Sequence, residues 1–261
     1  MKNNIVAIIQ ARMNSTRLNG KVLKVINGIT FLELLIRRLK NCKNITKIVL
    51  AFPENDSSLP LIKLSKKIRV DYVLGSEDNL LLRYKKAALE TNADYIIRVT
   101  SDCPLVDPLL LDNMISLILK NKYDIITNVI PPTWPDGLDI NIFTKHLLLE
   151  TNKLAILNSD KEHVVPWMWR NSELKNNKKY RGYNYKCKKD YSNLRWTLDN
   201  KADLLFFTKL SEELSLHELE KISFEELIEF FRNHKELTKI NAGNIRDIGY
   251  TNSLNFDHEN K

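Results

Sequence analysis

The sequence contains few cysteines, and they lie far apart. Cys42, Cys103 and Cys187 are the only three in 261 residues, and they form no CxxC pair. This number excludes the disulfide framework of a small secreted protein, and the spacing is not that of a zinc site. We therefore expect reduced thiols and a cytoplasmic protein.

Long hydrophobic runs are also absent. Although 43% of the residues are hydrophobic, no segment approaches the roughly 20 apolar residues that a membrane helix needs. The apolar run 5–9 soon meets Arg12, which is unlike a secretory signal. We expect no membrane partner, and the length suits one large α/β domain or one domain with a small lobe.

The charge is unbalanced towards lysine and arginine. The 40 basic and 32 acidic residues give a formal net charge of +8. Such a surface favours anionic partners, namely nucleic acid, a membrane surface or phosphorylated small molecules, and it does not choose among them. Solubility alone explains the charge equally well.

Strand-like and helix-like segments alternate through the first half of the chain. Thr30 with Glu33 has the pattern of a capping box, and Asp107 before Pro108 is typical of a helix start. The run 5–9 is apolar throughout, as in a parallel strand that is buried on both faces. The alternation predicts an open, mostly parallel α/β sheet, with strands at 5–9, 45–52, 70–74, 94–100 and 123–127 and helices at 30–40, 60–67, 79–91 and 108–120.

The pattern changes at residue 131, where three prolines in five residues mark a loop. Ser159 with Glu162 has the pattern of a capping box for a helix that carries residues 163–169. The basic, tyrosine-rich stretch 175–191 is typical of a solvated hairpin, with RNA stacking as the alternative. Further elements are predicted as strands at 138–143 and 195–198 and helices near 201–214 and 223–234.

These elements suggest one domain with an insertion. We interpret residues 1–240 as a single domain and residues 131–193 as an inserted lobe for substrate binding or for homodimer formation. Residues 241–261 are polar, and we expect a loosely held tail.

Three cations lie in the loop after the first predicted strand. Arg12, Arg17 and Lys21 fall within residues 10–21, among small polar side chains. Open α/β sheets bind ligands beyond the carboxyl ends of their strands, where backbone N–H groups and cations can hold phosphates. The loop is neither a Walker A nor a GxGxxG motif. It predicts a triphosphate site, with a solvated basic turn as the alternative.

Two aspartates follow short apolar segments. Asp102 comes after the predicted strand 94–100, and Asp199 comes after the predicted strand 195–198. Nucleotide-bound Mg²⁺ takes one or two carboxylates together with phosphate oxygens, so both are candidate ligands. The alternatives are a turn before Pro104 for Asp102 and a helix N-cap for Asp199.

Six motifs follow one another along roughly the first 210 residues. They are IIQARMNSTRLNGKVL (8–23), GSEDN (75–79) with Arg83-Tyr84, RVTSDCPLVDP (98–108), DGLDINIF (136–143), KEHVVPW (161–167) and RWTLDNKADL (195–204). As an ordered set they resemble the cytidylyltransferase family that includes CMP-KDO and CMP-sialate synthetases. The similarity is closest to the subgroup of spore coat polysaccharide biosynthesis cytidylyltransferases.

The resemblance implies a GT-A-like nucleotidyltransferase fold and a set of site residues. Arg12, Lys21, Asp102 and Asp199 would be catalytic, and the two aspartates would bind Mg²⁺. Three positions depart from the family: Asn19 stands for Pro, Leu82 for Asp, and Ser101 for Gly, which bears on base preference. The expected nucleotide contacts are Gln10, Ala11, Arg12, Arg17, Lys21, Gly75, Ser76, Thr100, Ser101 and Asp102.

The resemblance also implies the reaction. An acceptor oxygen would attack the α-phosphorus of CTP, and pyrophosphate would leave. The acceptor would be a small acidic or phosphorylated molecule of the sugar-acid type, for surface polysaccharide or glycoconjugate synthesis. Acceptor contacts are expected from Asp139, Glu162, His163 and Arg195, with Arg195 about 13 Å along its strand from the metal. Helix capping is the alternative for Glu162, and a structural role is the alternative for His163.

Two other functions fit part of the pattern. A glycosyltransferase that uses a finished nucleotide sugar would usually carry a DxD metal motif, whereas the candidate aspartates are single and far apart. A nucleic-acid-binding protein would show steeply salt-dependent RNA binding. The set of Arg12, Asp102 and Asp199 argues against this second alternative.

Overall fold

A seven-stranded sheet forms the centre of the computed structural model, which describes residues 3–259. The strands are β1 (Ile5–Gln10), β2 (Val25–Ile26), β3 (Ile29–Thr30), β4 (Lys47–Pro53), β5 (Asp71–Gly75), β6 (Tyr95–Thr100), β7 (Ile125–Thr127), β8 (Asn141–Thr144) and β9 (Gly182–Asn184). The helices are α1 (Phe31–Lys40), α2 (Leu59–Ile68), α3 (Leu80–Glu90), α4 (Pro108–Asn121), α5 (Lys145–Leu154), α6 (Asn158–His163), α7 (Pro166–Arg170), α8 (Lys201–Glu213), α9 (Leu216–Lys221), α10 (Phe224–Asn233), α11 (Lys235–Lys239) and α12 (Ile248–Glu259).

The sheet is mixed, with a parallel half and an antiparallel insertion. Its order is β5-β4-β1-β6-β8-β7-β9, and the first four of these strands are parallel. Strand β8 runs antiparallel to both of its neighbours, β6 and β7. β2 and β3 form a separate antiparallel pair. The predicted open, mostly parallel sheet is confirmed, and it brings the carboxyl ends of β1 and β6 side by side.

The two faces of the sheet bury different side chains. In β1, Ala7 and Ile9 belong to one hydrophobic cluster, while Val6 and Ile8 belong to another. This alternation is the period of two that a strand imposes. The first cluster also contains apolar residues of α1, α4, α8 and α10, whereas the second contains residues of α3, α5 and α7. Helices therefore cover both faces, which explains why β1 is apolar throughout.

Local capping signals locate several helix starts correctly. The Thr30 hydroxyl accepts a hydrogen bond from the Glu33 N–H, as predicted, but the Glu33 carboxylate pairs with Arg37 instead of returning to the cap. The Asp107 carboxylate accepts hydrogen bonds from the backbone N–H groups of Leu109 and Leu110. Each cap satisfies N–H groups that have no partner inside the helix.

The predicted helix over residues 163–169 is interrupted. α6 ends at His163, and α7 begins at Pro166, because Val164 has a φ of 71° in the left-handed region. Ser159 lies inside α6, and its hydroxyl has no hydrogen-bond partner within residues 3–259. The capping-box prediction for Ser159 and Glu162 is therefore wrong. The carboxylate of Asp257, in α12, caps this helix by accepting from the N–H groups of residues 158 and 159.

The predicted strand 195–198 is not a strand. Arg195 makes one isolated bridge to Asp136, and the segment then crosses Gly137. A Cβ on Gly137, whose φ is 105°, would lie 2.4 Å from the Trp196 carbonyl, so only glycine permits this approach. The predicted hairpin at 175–191 is also wrong, because β9 pairs in parallel with β7 at the sheet edge.

Regions predicted as an inserted lobe and a tail are joined to the main body. β8 and β9, from the segment 131–193, are strands of the central sheet. At the other end, α12 packs against α6, and the Asn241 amide donates to Asp203. The expected loose tail is therefore an ordered part of the fold up to residue 259. No helix in residues 3–259 is both long and apolar enough to cross a membrane.

Candidate active site

A cavity of about 320 Å³ opens at the carboxyl edge of the sheet. It is lined by the loops after β1, β5 and β6, by the end of α6, by the segment 195–199 and by the first turn of α12. Gly75 and Ser76 are not among its lining residues, although Glu77 and Asp78 of the same loop are. The predicted residues that the cavity does bring together are Gln10, Ala11, Arg12, Arg17, Lys21, Thr100, Ser101, Asp102, Asp139, Glu162, His163, Arg195 and Asp199.

The Lys21 ammonium lies between the two predicted metal ligands. Its Nζ is 2.7 Å from Asp102 Oδ2 and 2.5 Å from Asp199 Oδ1. Burial alone would lower the pKa of Lys21, but attraction to the two carboxylates outweighs burial and raises it. Burial would likewise raise the pKa of Asp102, and the Lys21 charge instead holds it well below its usual range. Lys21 and Asp102 are therefore both charged at neutral pH.

Backbone hydrogen bonds bring the two aspartates together across 97 positions of sequence. The Leu198 N–H and the Thr197 hydroxyl both donate to the Asp102 carbonyl, at 2.8 and 3.0 Å. On the other side, Gly20 adopts a φ of 61° and starts the short 3₁₀ turn Lys21–Leu23, whose Val22 is buried in the core. These contacts hold Lys21 and both carboxylates at one point of the cavity.

The donor set at this point fits a magnesium ion. The carboxylates of Asp102 and Asp199 both contact the Nζ atom of Lys21. Within residues 3–259 there is no group of three or more Asp, Glu, His or Cys side chains suited to a metal. Mg²⁺ in nucleotide sites takes one or two carboxylates and fills its other positions with phosphate oxygens and water. Asp102 and Asp199 have the oxygen chemistry and the convergence that this requires.

The other two loop cations lie nearer to solvent. Arg17 Nη2 is 3.0 Å from Asp199 Oδ2, and its side chain is 43% exposed. Arg12 is also exposed and has no ion-pair partner within 4 Å among the described residues. Both side chains border the cavity, where an entering anion can reach them.

Arg195 is enclosed by carboxylates and lies beside Asp199. Its guanidinium donates to both oxygens of Asp203 and to Asp136, and it is 3.7 Å from Asp199. The expected separation of about 13 Å is wrong because the segment is not a strand. Since its donors meet protein carboxylates, Arg195 supports the position of Asp199, and its contact with an acceptor stays a prediction.

Asp203 is a site residue that the sequence prediction missed. Its carboxylate accepts hydrogen bonds from the backbone N–H groups of Asp199 and Asn200, and it forms a capping box with Asn200 at the start of α8. The Asn-x-x-Asp spacing was the available signal. Asp203 is fully buried, and it anchors both the Arg195 guanidinium and the backbone of Asp199.

Asp139 is paired with a residue of the C-terminal segment. Arg246 forms an ion pair with Asp139 and donates to the Trp134 carbonyl at 3.0 Å. Burial raises the pKa of Asp139 to about 7 and that of Asp136 to about 6, against the opposing charges of the neighbouring arginines. Asp139 therefore borders the cavity while engaged by Arg246, a residue that lies outside the motifs of the sequence.

His163 and Glu162 are held by α12. The Ser253 hydroxyl is 3.0 Å from His163 Nε2 and 2.7 Å from Glu162 Oε2, and the Tyr250 ring packs edge-on against the imidazole. Burial lowers the pKa of His163 to about 4, so the imidazole is neutral at pH 7. Both predicted acceptor residues thus line the cavity in fixed positions.

Gly75 and Ser76 do not line the cavity themselves, but both contact Arg83, which does. A Cβ on Gly75 would lie 3.1 Å from Arg83 Cγ, and the Arg83 guanidinium donates to the Ser76 carbonyl at 2.6 Å. Burial lowers the pKa of Arg83 to about 10. The neighbouring Tyr84 hydroxyl donates to Gln10 Oε1 at 3.1 Å. Arg83 lines the cavity, so the loop after β5 contributes this cation rather than the two predicted residues.

The site therefore places a lysine and two carboxylates at the carboxyl edge of an open mixed sheet. A family model described as "Cytidylyltransferase" matches residues 6–237. The match spans most of the chain, which therefore belongs to the cytidylyltransferase family and is a nucleotidyltransferase enzyme. The resemblance inferred from the six motifs is confirmed.

Individual relatives agree with this assignment. The chain is 31% identical over 212 residues to the spore coat polysaccharide biosynthesis protein SpsF of Bacillus subtilis, a match that covers 74% of this chain and 85% of that protein. It superimposes on a cytidylyltransferase from Leptospira borgpetersenii with a TM-score of 0.81 and 32% identity, covering 91% and 97% of the two chains. The CMP:2-keto-3-deoxy-manno-octonic acid synthetase complexed with CTP has 14% identity, a TM-score of 0.61 and coverage of 81% and 100%, which shows the shared fold.

Proposed function

We propose that the enzyme transfers CMP from CTP to a small acidic or phosphorylated acceptor of the sugar-acid type and releases pyrophosphate. The observation that carries this proposal is the Lys21 ammonium between Asp102 and Asp199. A cation and two carboxylates at one point suit a metal–triphosphate complex, because the complex brings a charge partner for each of them.

The proposed reaction is an in-line substitution at phosphorus. A lone pair on an acceptor oxygen forms a bond to the α-phosphorus, the bond from that phosphorus to the pyrophosphate oxygen breaks, and pyrophosphate leaves with the electron pair. A hydroxyl acceptor also loses its proton, which passes to water or to the departing pyrophosphate. Lys21, Arg17 and Arg12 neutralise the charge that builds up on the leaving group, and the loop that carries them orients it.

Asp102 and Asp199 would hold Mg²⁺, which when bound supplies charge neutralisation at the phosphate oxygens. Arg195 and Asp203 keep the Asp199 carboxylate in place for this task. With the metal held there, Lys21 would exchange its ion pairs with the aspartates for hydrogen bonds to phosphate, and each charge would keep a partner of opposite sign.

The acceptor would lie beside His163 and Glu162. A neutral imidazole can accept a hydrogen bond from one acceptor hydroxyl, and the Glu162 carboxylate can accept from another. The relative named as a spore coat polysaccharide biosynthesis protein supports a role in surface polysaccharide synthesis. Free cysteines in the described chain and a CTP substrate support a cytoplasmic location. The homodimer stays a prediction.

The proposal is tested by a screen for pyrophosphate release. CTP, UTP, ATP and GTP are each combined with sugar acids, sugar phosphates and smaller phosphorylated or carboxylated metabolites, with Mg²⁺ and with a chelator. We expect release with CTP, dependent on both Mg²⁺ and an acceptor, and a CMP-linked product by mass spectrometry. Release with every nucleotide at equal rates, or activity with a nucleotide sugar alone, would contradict the proposal.

A further inference from the structure

Arg98 is a cation of the cavity to which neither the motifs nor the proposed reaction assigns a role. It lies in β6, paired with Ile8 of β1 on one side and with Asn141 of β8 on the other. Its Nε is buried and makes no hydrogen bond within residues 3–259. No carboxylate of the described residues lies within 4 Å of its guanidinium, unlike those of Arg17, Arg195 and Arg246. A buried donor without a partner is costly, which points to a partner that the protein itself does not supply.

Strand alternation places Arg98 on one particular face of the sheet. Its neighbours Ile97 and Val99 belong to the hydrophobic cluster on one face, and Ile96 belongs to the cluster on the other face. Because side chains alternate, Arg98 shares the face of Ile96, which α3 and α5 cover. Val22, next to Lys21, is buried in the opposite cluster.

The sheet order also separates Arg98 from the β5 loop. β4 and β1 lie between β5 and β6, which amounts to three strand spacings, or roughly 14 Å. Arg98 instead borders β8, on the side of the cavity where His163 stands. Burial is the main cause of the low pKa of His163, and the charges of Arg98 and Arg12 add to it. Two cations therefore act on the same part of the cavity as the neutral imidazole.

We propose that Arg98 binds an anionic group of the acceptor, a phosphoryl or carboxylate oxyanion. The inference rests on the proposed function and adds that the acceptor carries a negative charge beyond its attacking oxygen. The planar guanidinium offers two parallel N–H groups that match either oxyanion. Arg98 is thus a residue that selects the acceptor, whereas Lys21 and Arg17 hold the triphosphate.

The test is anion binding to the enzyme while the triphosphate site is filled. The wild-type protein is saturated with Mg²⁺ and α,β-methylene-CTP, and inorganic phosphate or acetate is titrated by calorimetry. We expect at least one of the two anions to bind, and the comparison of phosphate with acetate identifies the acceptor class. Arg98→Met should weaken this binding about 10- to 100-fold, the range for hydrogen bonds to charged groups. Arg232→Met is the matched control, because Arg232 is exposed and pairs only with Glu229 among the described residues.

Several outcomes would overturn the inference. One is that neither anion binds to the nucleotide-loaded wild type, and another is equal anion affinity in wild type and Arg98→Met. Loss of α,β-methylene-CTP binding in Arg98→Met would instead assign Arg98 to the nucleotide. Failure of the wild type to bind the CTP analogue at all would count against the proposed function itself. If Arg98→Met does not fold, the NMR signal of the Arg98 guanidinium is followed instead, and it is assigned as the signal that is missing in Arg98→Lys. The proposal requires this signal to shift in the wild type when phosphate or acetate is added. A signal that does not move refutes the proposal.

Discussion

The cavity has two ends that are built in different ways. The nucleotide end consists of Arg12, Arg17, Lys21, Asp102 and Asp199, and its ion pairs face the open cavity. The proposed acceptor end consists of Asp136, Asp139, Glu162, His163 and Arg246, with Arg98 beside it. There Asp139, Glu162 and His163 are held by residues of α12 and of the segment before it.

The two ends therefore differ in whether their charged pairs serve catalysis or hold the fold together. Ion pairs at the nucleotide end can be exchanged for a bound ligand without disturbing the core. At the acceptor end, Arg246–Asp139 and Ser253–Glu162 instead join the C-terminal segment to the body of the fold, and the buried Asp203 beside Arg195 bonds to Asn241 in the same way. Variants of the first group should change catalysis and spare stability, while variants of the second group should do the reverse.

The largest effect is expected from the two aspartates of the nucleotide end. Asp102→Asn and Asp199→Asn each remove one charge from the proposed metal site, so turnover should fall by roughly 1,000-fold or more. The melting temperature should stay within a few degrees of wild type. Steady-state pyrophosphate release and calorimetric melting measure the two quantities. Asp190→Asn, at an exposed position, is the control, and near wild-type turnover at saturating Mg²⁺ would remove the variant residue from the metal site.

The reverse behaviour is expected for Arg195→Met. Arg195 is 6% exposed and pairs with Asp136 and Asp203, so its removal leaves two carboxylates uncompensated, one of them fully buried. The free energy of unfolding should fall by about 3–5 kcal/mol, as measured by denaturant titration. The affinity for acceptor should change no more than the affinity for nucleotide. A stable variant with a selectively raised acceptor KM would return Arg195 to the acceptor site.

The pH dependence of stability should report His163 at the acceptor end. Its pKa is about 4 in the folded protein against 6.5 in the unfolded chain, so below pH 6.5 the unfolded state takes up a proton that the folded state does not. Stability from this residue is complete above pH 6.5 and is lost progressively towards pH 4, by up to about 3 kcal/mol. The unfolding free energy of His163→Gln should lack this loss. If the unfolding free energies of the wild type and His163→Gln change in parallel with pH, then His163 is not held neutral in the folded protein.

Lys21→Ala should have a smaller effect, confined to the nucleotide. Losing one charged hydrogen-bond donor to phosphate should lower kcat/KM for CTP by about 100-fold and leave the acceptor KM unchanged. Removing this cation also leaves Asp102 and Asp199 without their shared partner, so Mg²⁺ binding should not weaken. Initial rates at varied CTP and varied acceptor separate these effects. Unchanged kinetic constants for CTP would exclude Lys21 from the phosphate site.

Much of the nucleotide end was predictable from sequence because its parts are local. Arg12, Arg17 and Lys21 lie in one loop after an unmistakable buried strand, and Asp102 follows another. The chain direction of parallel strands then brings both loops to one edge. Helix caps such as Asp107 were predictable for the same reason, since a cap and its N–H partners are only a few residues apart.

The contacts that hold Arg195 and the residues of the proposed acceptor end could not be predicted from such local patterns. The apolar spacing at 195–198 predicted a strand. In the structure, Gly137 lets the backbone of Trp196 approach too closely for regular strand pairing. Arg195 lies beside Asp199 as a result. The polar composition of the last residues predicted a loose tail, yet Arg246, Ser253 and Asp257 all bond to the site or to α6. Contacts of this kind leave no periodic signal.

By itself the sequence determined the strand and helix alternation, the cation-rich loop and the carboxylate that follows β6, because hydrophobic period and capping act over a few residues. Only the tertiary structure decided which charges are free and which are neutralised. Arg195, Arg98 and Arg246 are the same residue type, but one is enclosed by carboxylates, one lacks a partner in the described chain and one binds Asp139. Their roles differ because burial and pairing, not residue type, set the availability of a charge.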